Sequence, residues 1–383
     1  MKKILIVTTS FPSLLRENKG IGGGAFILKE VEALISASYT VKIIMPAING
    51  LSSFESCPGI ELERVAYPLQ HYNPGFNKRP QHGDLKLINK VSQVSMALAL
   101  LKVIYAELKK SSYQIVWSNW LQVGMICSLA NRRHVPHLMS IRGSDVRESK
   151  KAMVKFMAKF CPNLLNMYSD DEALNHWIEE FGFVNHIVPG VYTEKSLARV
   201  EPARPLIAIV GRLDGEASGL HMKGLGSNLF EAIKQLFQKR SDFDVIVIGD
   251  GKQLNDLQCL LSEFTGNVTF TGWLGEFDQY LAKATLVIGG GGTNGVVMDT
   301  TPYGIPLMIS KYLTGSIWVD KQNCLVFDPY DINNISRTIE YAIENPQQLE
   351  GFGQKAQIDL TKFALPTDKA GIVWREIFEK FCS

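Results

Sequence analysis

The chain has 383 residues, of which 46% are apolar and 20% charged, and its formal net charge is +2. That length supports two domains with a core each, and the composition is ordinary for a soluble globular protein. No run approaches the ~20 apolar residues that cross a bilayer, and six scattered cysteines without a C-x-x-C pair argue for buried free thiols and against a metal site.

The small net charge hides an asymmetry. Residues 1–200 hold 24 Lys or Arg against 16 Asp or Glu, a balance of +8, which leaves 16 against 22, or −6, for residues 201–383. A basic half beside an acidic half suggests that the first half meets something anionic, unless the difference is chance variation between two solvated surfaces.

In chain order, MKKILIVTTS mimics the start of a signal peptide. Its apolar run is short, and Phe11-Pro12 follows without a small-residue cleavage site, so residues 4–8 read as a first buried strand. Apolar runs then recur at 41–45, 115–117, 137–141, 165–168 and 187–188, separated by amphipathic stretches at 25–36, 85–108 and 123–132. Residues 148–160 place Met153, Phe156, Met157 and Phe160 at helical spacing beside Lys151, Lys155 and Lys159. Such a helix either rests on a membrane surface or faces the core with a solvated basic side. Residues 189–205 are rich in proline and charge, lack periodicity and mark the break between halves.

The second half repeats the rhythm, with apolar runs at 206–210, 245–248, 268–270, 285–288, 306–309 and 325–327, and helical stretches at 226–239, 253–263, 277–283 and 333–343. A last helix covers 366–381, with Trp374 and Phe378 on one side. Strands apolar throughout, each followed by a helix, imply parallel sheets covered on both faces. The expected architecture is α/β: two doubly wound, Rossmann-like domains with a ligand cleft where strand C-termini meet.

The segment LVIGGGGTNGVVMDTTPYGIP, residues 286–306, reads as strand, glycine turn and helix, with Asn294 as N-cap and Gly304 as C-terminal stop. Such a helix start can hold a phosphate. Residues 290–295 fit G-x-G-x-x-G formally, but the next strand ends in Ser310-Lys311 and offers no acid for a dinucleotide ribose. Residues 20–25 fit formally too, yet lie some eleven residues from their strand, and read as a glycine loop over the cleft. Arg212 follows the run 206–211 directly, and Lys223 precedes the next helix, where both could neutralise a diphosphate or be solvated loop charges. The histidines show no ligand spacing.

Together these features resemble the retaining GT-B glycosyltransferases of the Glu-x7-Glu, or glycosyltransferase group 1, type. The resemblance rests on Ser10-Phe11-Pro12, Gly22 to Phe26, YQIVWSNWLQVG (113–124), PHLMSIRGSDV (136–146), Val188 to Val191, Val210 to Leu213, Lys223-Gly224, Gly249-Asp250-Gly251, Phe270 to Trp273 and Gly304 to Pro306. It implies an acceptor-side domain over 1–195, a donor domain over 205–365 and a helix, 366–383, packed back on the first. It implies that Arg212 and Lys223 hold the diphosphate, with Arg142 as a further donor to the sugar or phosphate unless it pairs with Asp145. Gly23, Gly24, Gly251, Gly272, Trp273, Gly292, Thr293, Asn294 and Gly295 would line the donor, and Asp299 would take the ribose hydroxyls. Asn119, Trp120 and Asp145 would face the acceptor.

Two positions depart from the signature: its first glutamate falls at Gly291, and its second is shortened to Asp299. Asn119 and Arg142 also stand where relatives carry histidines. The implied function is metal-independent transfer of a sugar, with retention, from a UDP- or GDP-type donor to a saccharide or lipid-linked acceptor. Its setting would be surface polysaccharide or glycolipid assembly, in the cytoplasm and peripherally at the inner face of the plasma membrane, without nucleic acid or cofactor. The alternatives are a nucleotide-sugar-binding protein with little turnover and a nucleotide-sugar epimerase on the same fold.

Overall fold

The computed structural model describes residues 2–15, 24–72, 86–141, 151–167, 172–194, 197–213, 225–289, 295–314 and 317–383. The chain forms two compact units, Met1–Val191 with Pro366–Ser383, and Tyr192–Leu365.

The first unit is built on β1 (Lys2–Val7), β2 (Tyr39–Pro46), β3 (Phe54–Cys57), β4 (Ile60–Val65), β5 (Ile115–Asn119), β6 (His137–Ser140), β7 (Asn163–Met167) and β8 (Val184–Val188). Their order in the sheet is β3-β4-β2-β1-β5-β6-β7-β8. Ile4 to Val7 of β1 are buried on both faces, as a central parallel strand requires. Ile4 pairs with Val41 on one side and Ile115 on the other.

The β3–β4 hairpin is antiparallel and shows no apolar run, because FESC and IELERV carry charges at Glu55, Glu61, Glu63 and Arg64. Two of those charges point inward. Glu55 and Arg64 are fully buried and paired at 2.5 Å. Glu55 also accepts bonds from Ser13 Oγ at 3.0 Å and the Leu14 N–H at 2.6 Å, which ties the segment after β1 to the sheet edge.

Helices α1 (Ala25–Ser36), α2 (Lys86–Lys110), α3 (Leu121–Ala130), α4 (Lys151–Ala158) and α5 (Glu172–Phe181) connect these strands. Leu5, Val7 and Val116 pack under α2 and α3, while α4 and α5 extend the same layer through Val154, Met157 and Trp177. The C-terminal helix α12 (Thr367–Cys382) packs on α1. A Cβ at Gly371 would lie 2.2 Å from the Ala33 carbonyl oxygen. Trp374 donates its indole N–H to the Pro189 carbonyl at 3.2 Å and meets the buried Trp117 edge-on at 5.4 Å.

The second unit carries β10 (Leu206–Val210), β11 (Asp244–Ile248), β12 (Val268–Gly272), β13 (Leu286–Ile288), β14 (Leu307–Ser310) and β15 (Leu325–Phe327). The sheet is parallel throughout, in the order β12-β11-β10-β13-β14-β15. Helices α6 (Ser227–Phe237), α7 (Leu254–Leu260), α8 (Asp278–Leu281), α9 (Gly295–Thr300), α10 (Ile332–Glu344) and α11 (Pro346–Leu360) enclose it, with one core cluster on each face. Two short strands, β9 (Gly190–Tyr192) and β16 (Ala364–Pro366), pair where the chain passes between units.

Four sequence expectations need correction. The helix after the glycine turn is only six residues, α9, and tightens into a 3-10 turn at Thr301–Tyr303. Thr300 bonds back to the Val296 carbonyl at 2.7 Å and Pro302 follows, which together end the α-helix before Gly304. Residues 346–360 form α11 although two glycines and many polar residues blur its period. Cys57 and Cys259 are exposed, while Cys127, Cys161 and Cys324 are buried. Finally, residues Ile88–Lys110 of α2 are apolar and long enough, by length and composition, to cross a membrane. Ser92, Gln93, Ser95, Lys102 and Glu107 interrupt the segment and hide this from a count of uninterrupted apolar residues.

Candidate functional site

In the second sheet, helical connections run to one side from β10 to β12 and to the other from β13 to β15, so the order reverses between β10 and β13. In open α/β sheets the ligand crevice lies outside the carboxyl ends of the strands at such a reversal. Arg212 stands two residues beyond the end of β10, exposed, with Leu213 buried behind it. Beyond β13, a Cβ at Gly289 would lie 2.5 Å from the Val210 carbonyl oxygen, so the two strand exits abut.

The exits of β10, β11 and β12 are tied together through backbone. The Gly211 N–H donates to the Ile248 carbonyl at 3.0 Å, the Leu213 N–H to Asp250 at 3.0 Å, and the Gly249 N–H to Gly272 at 2.8 Å. Gly249 has φ +155°, and a Cβ there would sit 1.9 Å from the Gly211 carbonyl oxygen. At Gly251 a Cβ would fall 2.4 Å from the Leu213 carbonyl carbon. The glycines of Gly249-Asp250-Gly251 are thus already required by loop-on-loop packing. Asp250 caps its own turn, its carboxylate accepting the Gly251 N–H at 2.7 Å.

Gly272 ends β12, the edge strand, and the half-exposed Trp273 follows it, two strands from β10 and so ~10 Å away along the sheet. Gly295 opens α9 and Asp299 lies one turn later, half-buried. Lys223, Gly292, Thr293 and Asn294 lie outside the described residues.

The first sheet reverses between β1 and β5. Gly24, at φ +73°, precedes α1, and a Cβ on it would lie 2.4 Å from the Ser10 carbonyl oxygen beyond β1. Asn119 ends β5 and is buried. Trp120 then takes φ +82° and ψ 143° immediately before α3. Positive φ at so bulky a residue is strained and persists only where its surroundings fix it. The Trp120 N–H donates to the Ser140 carbonyl at 3.0 Å, and its own carbonyl accepts the Gly124 N–H at 2.9 Å. Its ring meets Phe26 edge-on at 6.5 Å. Its indole N–H is buried and has no acceptor among the described residues. Beneath it, His137 bonds Ser118 Oγ at 2.9 Å and Ser128 Oγ at 3.3 Å, and burial pushes its pKa down to about 4, so it stays neutral at pH 7. Gly23, Arg142 and Asp145 lie outside the described residues.

The structure therefore brings Arg212, Gly251, Gly295 and Asp299 to the strand exits of one unit, and Gly24, Asn119 and Trp120 to those of the other. Sequence reasoning missed Gly211, Gly249 and Gly289 as packing glycines, although each follows an apolar strand directly, which is a usable signal. Nothing in the sequence marks the strained backbone of Trp120.

Residues 204–345, a span inside the second unit, match the model of a family described as Glycosyl transferases group 1. No curated protein sequence matches the chain. Among solved structures, sucrose-phosphate synthase from Thermosynechococcus elongatus superposes with a TM-score of 0.73 at 15% identity, over 99% of each chain. HepE from Anabaena, in complex with UDP and glucose, gives 0.67 at 14% identity over 99% of this chain and 100% of that one. Trehalose-6-phosphate from E. coli, bound with UDP-2-fluoro glucose, gives 0.69 at 11% identity over 99% of each chain. At such identities the likeness shows the fold: two Rossmann-like sheets of the GT-B type.

Proposed function

We propose that the chain is a glycosyltransferase that moves a sugar from a nucleotide-sugar donor of the UDP or GDP type to an acceptor hydroxyl. The observation that carries this reading is the exit of β10, where the exposed cation Arg212 stands at the reversal of strand order, inside the span that matches Glycosyl transferases group 1. Two structures of the same fold are complexes with UDP and glucose or with a UDP-sugar analogue, which supports a donor of that chemistry.

In this reading the second unit holds the donor. Arg212 and Lys223 stabilise the diphosphate as its bond to the anomeric carbon breaks. The acceptor oxygen forms the new bond to that carbon on the same face, and its proton leaves with the departing diphosphate. Asp299 accepts from the ribose hydroxyls, and residues 293–295 meet sugar or phosphate. Arg142 is a further donor to the sugar or phosphate, Asn119, Trp120 and Asp145 serve the acceptor, and the buried indole N–H of Trp120 donates to a sugar hydroxyl in this reading. The acceptor is a saccharide or lipid-linked saccharide in surface polysaccharide or glycolipid assembly on the cytoplasmic side, and no metal is used.

A second reading rests on Gly291 and Asp299, which remove one carboxylate and shorten the other: the chain binds a nucleotide sugar with little turnover. Release of UDP or GDP from a panel of UDP- and GDP-sugars, measured with and without acceptor glycolipids, separates the two. Glycosyl transfer predicts turnover with one donor, and Arg212→Ala lowering kcat/KM about 100-fold or more. Nucleotide binding with no release from any donor would favour the second reading.

A further inference from the structure

The helices α2, α3 and α4 lie side by side over one face of the first sheet, each packed on the next. Their outer surface combines two features that isolated helices rarely share. The first is apolar exposure. Val91, Val94 and Leu98 form a stripe along α2, Leu129 is exposed on α3, and Phe156 and Phe160 stand out from the end of α4 with ring centroids 4.6 Å apart. Leu98 is 61% exposed and Phe160 55%. The buried side of α2 is a separate face, formed by Met96, Leu100, Ile104 and Leu108, so the outer stripe is not a core face in disguise.

The second feature is charge. Residues 86–110, 121–134 and 151–160 hold ten Lys or Arg and a single carboxylate, Glu107. Glu107 is turned inward, accepting from Lys42 at 2.9 Å and Tyr113 at 2.6 Å. On α2, Lys102 and Lys109 follow the stripe at i+4 and i+11 from Leu98, and Lys155 and Lys159 each precede one of the two phenylalanines, all exposed. At the far border Lys151 turns aside to pair with Glu180 at 3.1 Å. Much of the basic excess of the first half of the chain therefore lies in these three segments.

We infer that this face docks the first unit on an anionic lipid bilayer. Lysines around exposed aliphatic and aromatic side chains match the boundary between acidic headgroups and acyl chains. Valines and leucines offer no flat surface for stacking bases, which sets the face apart from a nucleic-acid site. The helix α2 lies along the surface, because its inner side is committed to the sheet; its length and apolar composition serve adsorption. This inference does not depend on the chemistry proposed for the strand exits.

The test is flotation of the full chain with vesicles of phosphatidylcholine alone and of phosphatidylcholine mixed with phosphatidylglycerol. The wild type floats with the mixed vesicles, and raised salt weakens this. Phe156→Ser with Phe160→Ser weakens partitioning at least about tenfold, and Lys155→Glu with Lys159→Glu does so by a similar factor. Both double variants keep the wild-type circular dichroism and melting temperature, since none of the four side chains is buried. Failure to float, equal binding to neutral vesicles, unchanged binding of both variants, or tighter binding to single-stranded RNA than to vesicles would each overturn the inference.

Discussion

At the scale of single residues, the strand exits are held by close packing that side chains would break. Gly249→Ala places a Cβ 1.9 Å from the Gly211 carbonyl oxygen and is expected to cost at least about 3 kcal/mol. Gly182→Ala, at φ +71° with nothing within 4 Å, should cost only about 1 kcal/mol. Urea denaturation of both variants checks the contrast, and equal losses would mean that conformation, not contact, makes Gly249 a glycine. The roles of Arg212 and of the Gly249 to Gly251 turn differ in legibility. A cation just past an apolar run can be read directly, whereas whether a glycine faces a ligand or a neighbouring backbone depends on loops far apart in sequence.

At the scale of elements, β6 carries a built-in acid sensitivity. His137 titrates near 6.5 in an unfolded chain but near 4 in the fold, because burial disfavours its cation. Between those values the unfolded chain holds more protons, so stability is greatest above pH 6.5 and falls as pH drops toward 4. Its share is on the order of 3 kcal/mol. In His137→Gln the fall in melting temperature between pH 7 and 4 should shrink, but not vanish, since burial and then Lys380 lower the pKa of His186 as well. Further down, burial opposes the charged form of Glu107, yet Tyr113, Lys42 and Ser111 bring it to about 2, so its contribution is lost only as pH falls from about 4.3 toward that value. The helix α12 depends on Gly371 in the same contact-limited way: Gly371→Leu should lift it from Ala33 and shift Trp374 fluorescence toward that of exposed indole. An unshifted spectrum would show that α1 and α12 can move apart without cost to the Trp117–Trp374 contact. Apolar periodicity made most parallel strands and their helices readable. The charged β3–β4 hairpin, the polar α11 and the early end of α9 were not, because tertiary contacts and one hydroxyl-to-carbonyl bond decide them.

At the scale of the whole molecule, charge divides between the two halves of the chain. The acidic second half carries the reversal of strand order with Arg212, and the basic first half carries the helical face of α2 to α4. The α/β architecture was legible from alternation alone, and the similarity to GT-B structures over 99% of the chain agrees with it. Which side chains meet a ligand was less legible, since the roles of Lys223 and residues 290–294 rest on resemblance, and that of Trp120 on a backbone strain that no pattern announces. The central claim is that the β10–β13 crevice holds a nucleoside diphosphate sugar, and calorimetric titration with UDP, GDP, ADP and CMP tests it most directly. The account predicts that either UDP or GDP binds in the micromolar range, that Arg212→Ala and Asp299→Ala each weaken it at least about tenfold, and that Trp120→Phe leaves it unchanged. No binding of any of the four, or binding indifferent to both Arg212→Ala and Asp299→Ala, would contradict it.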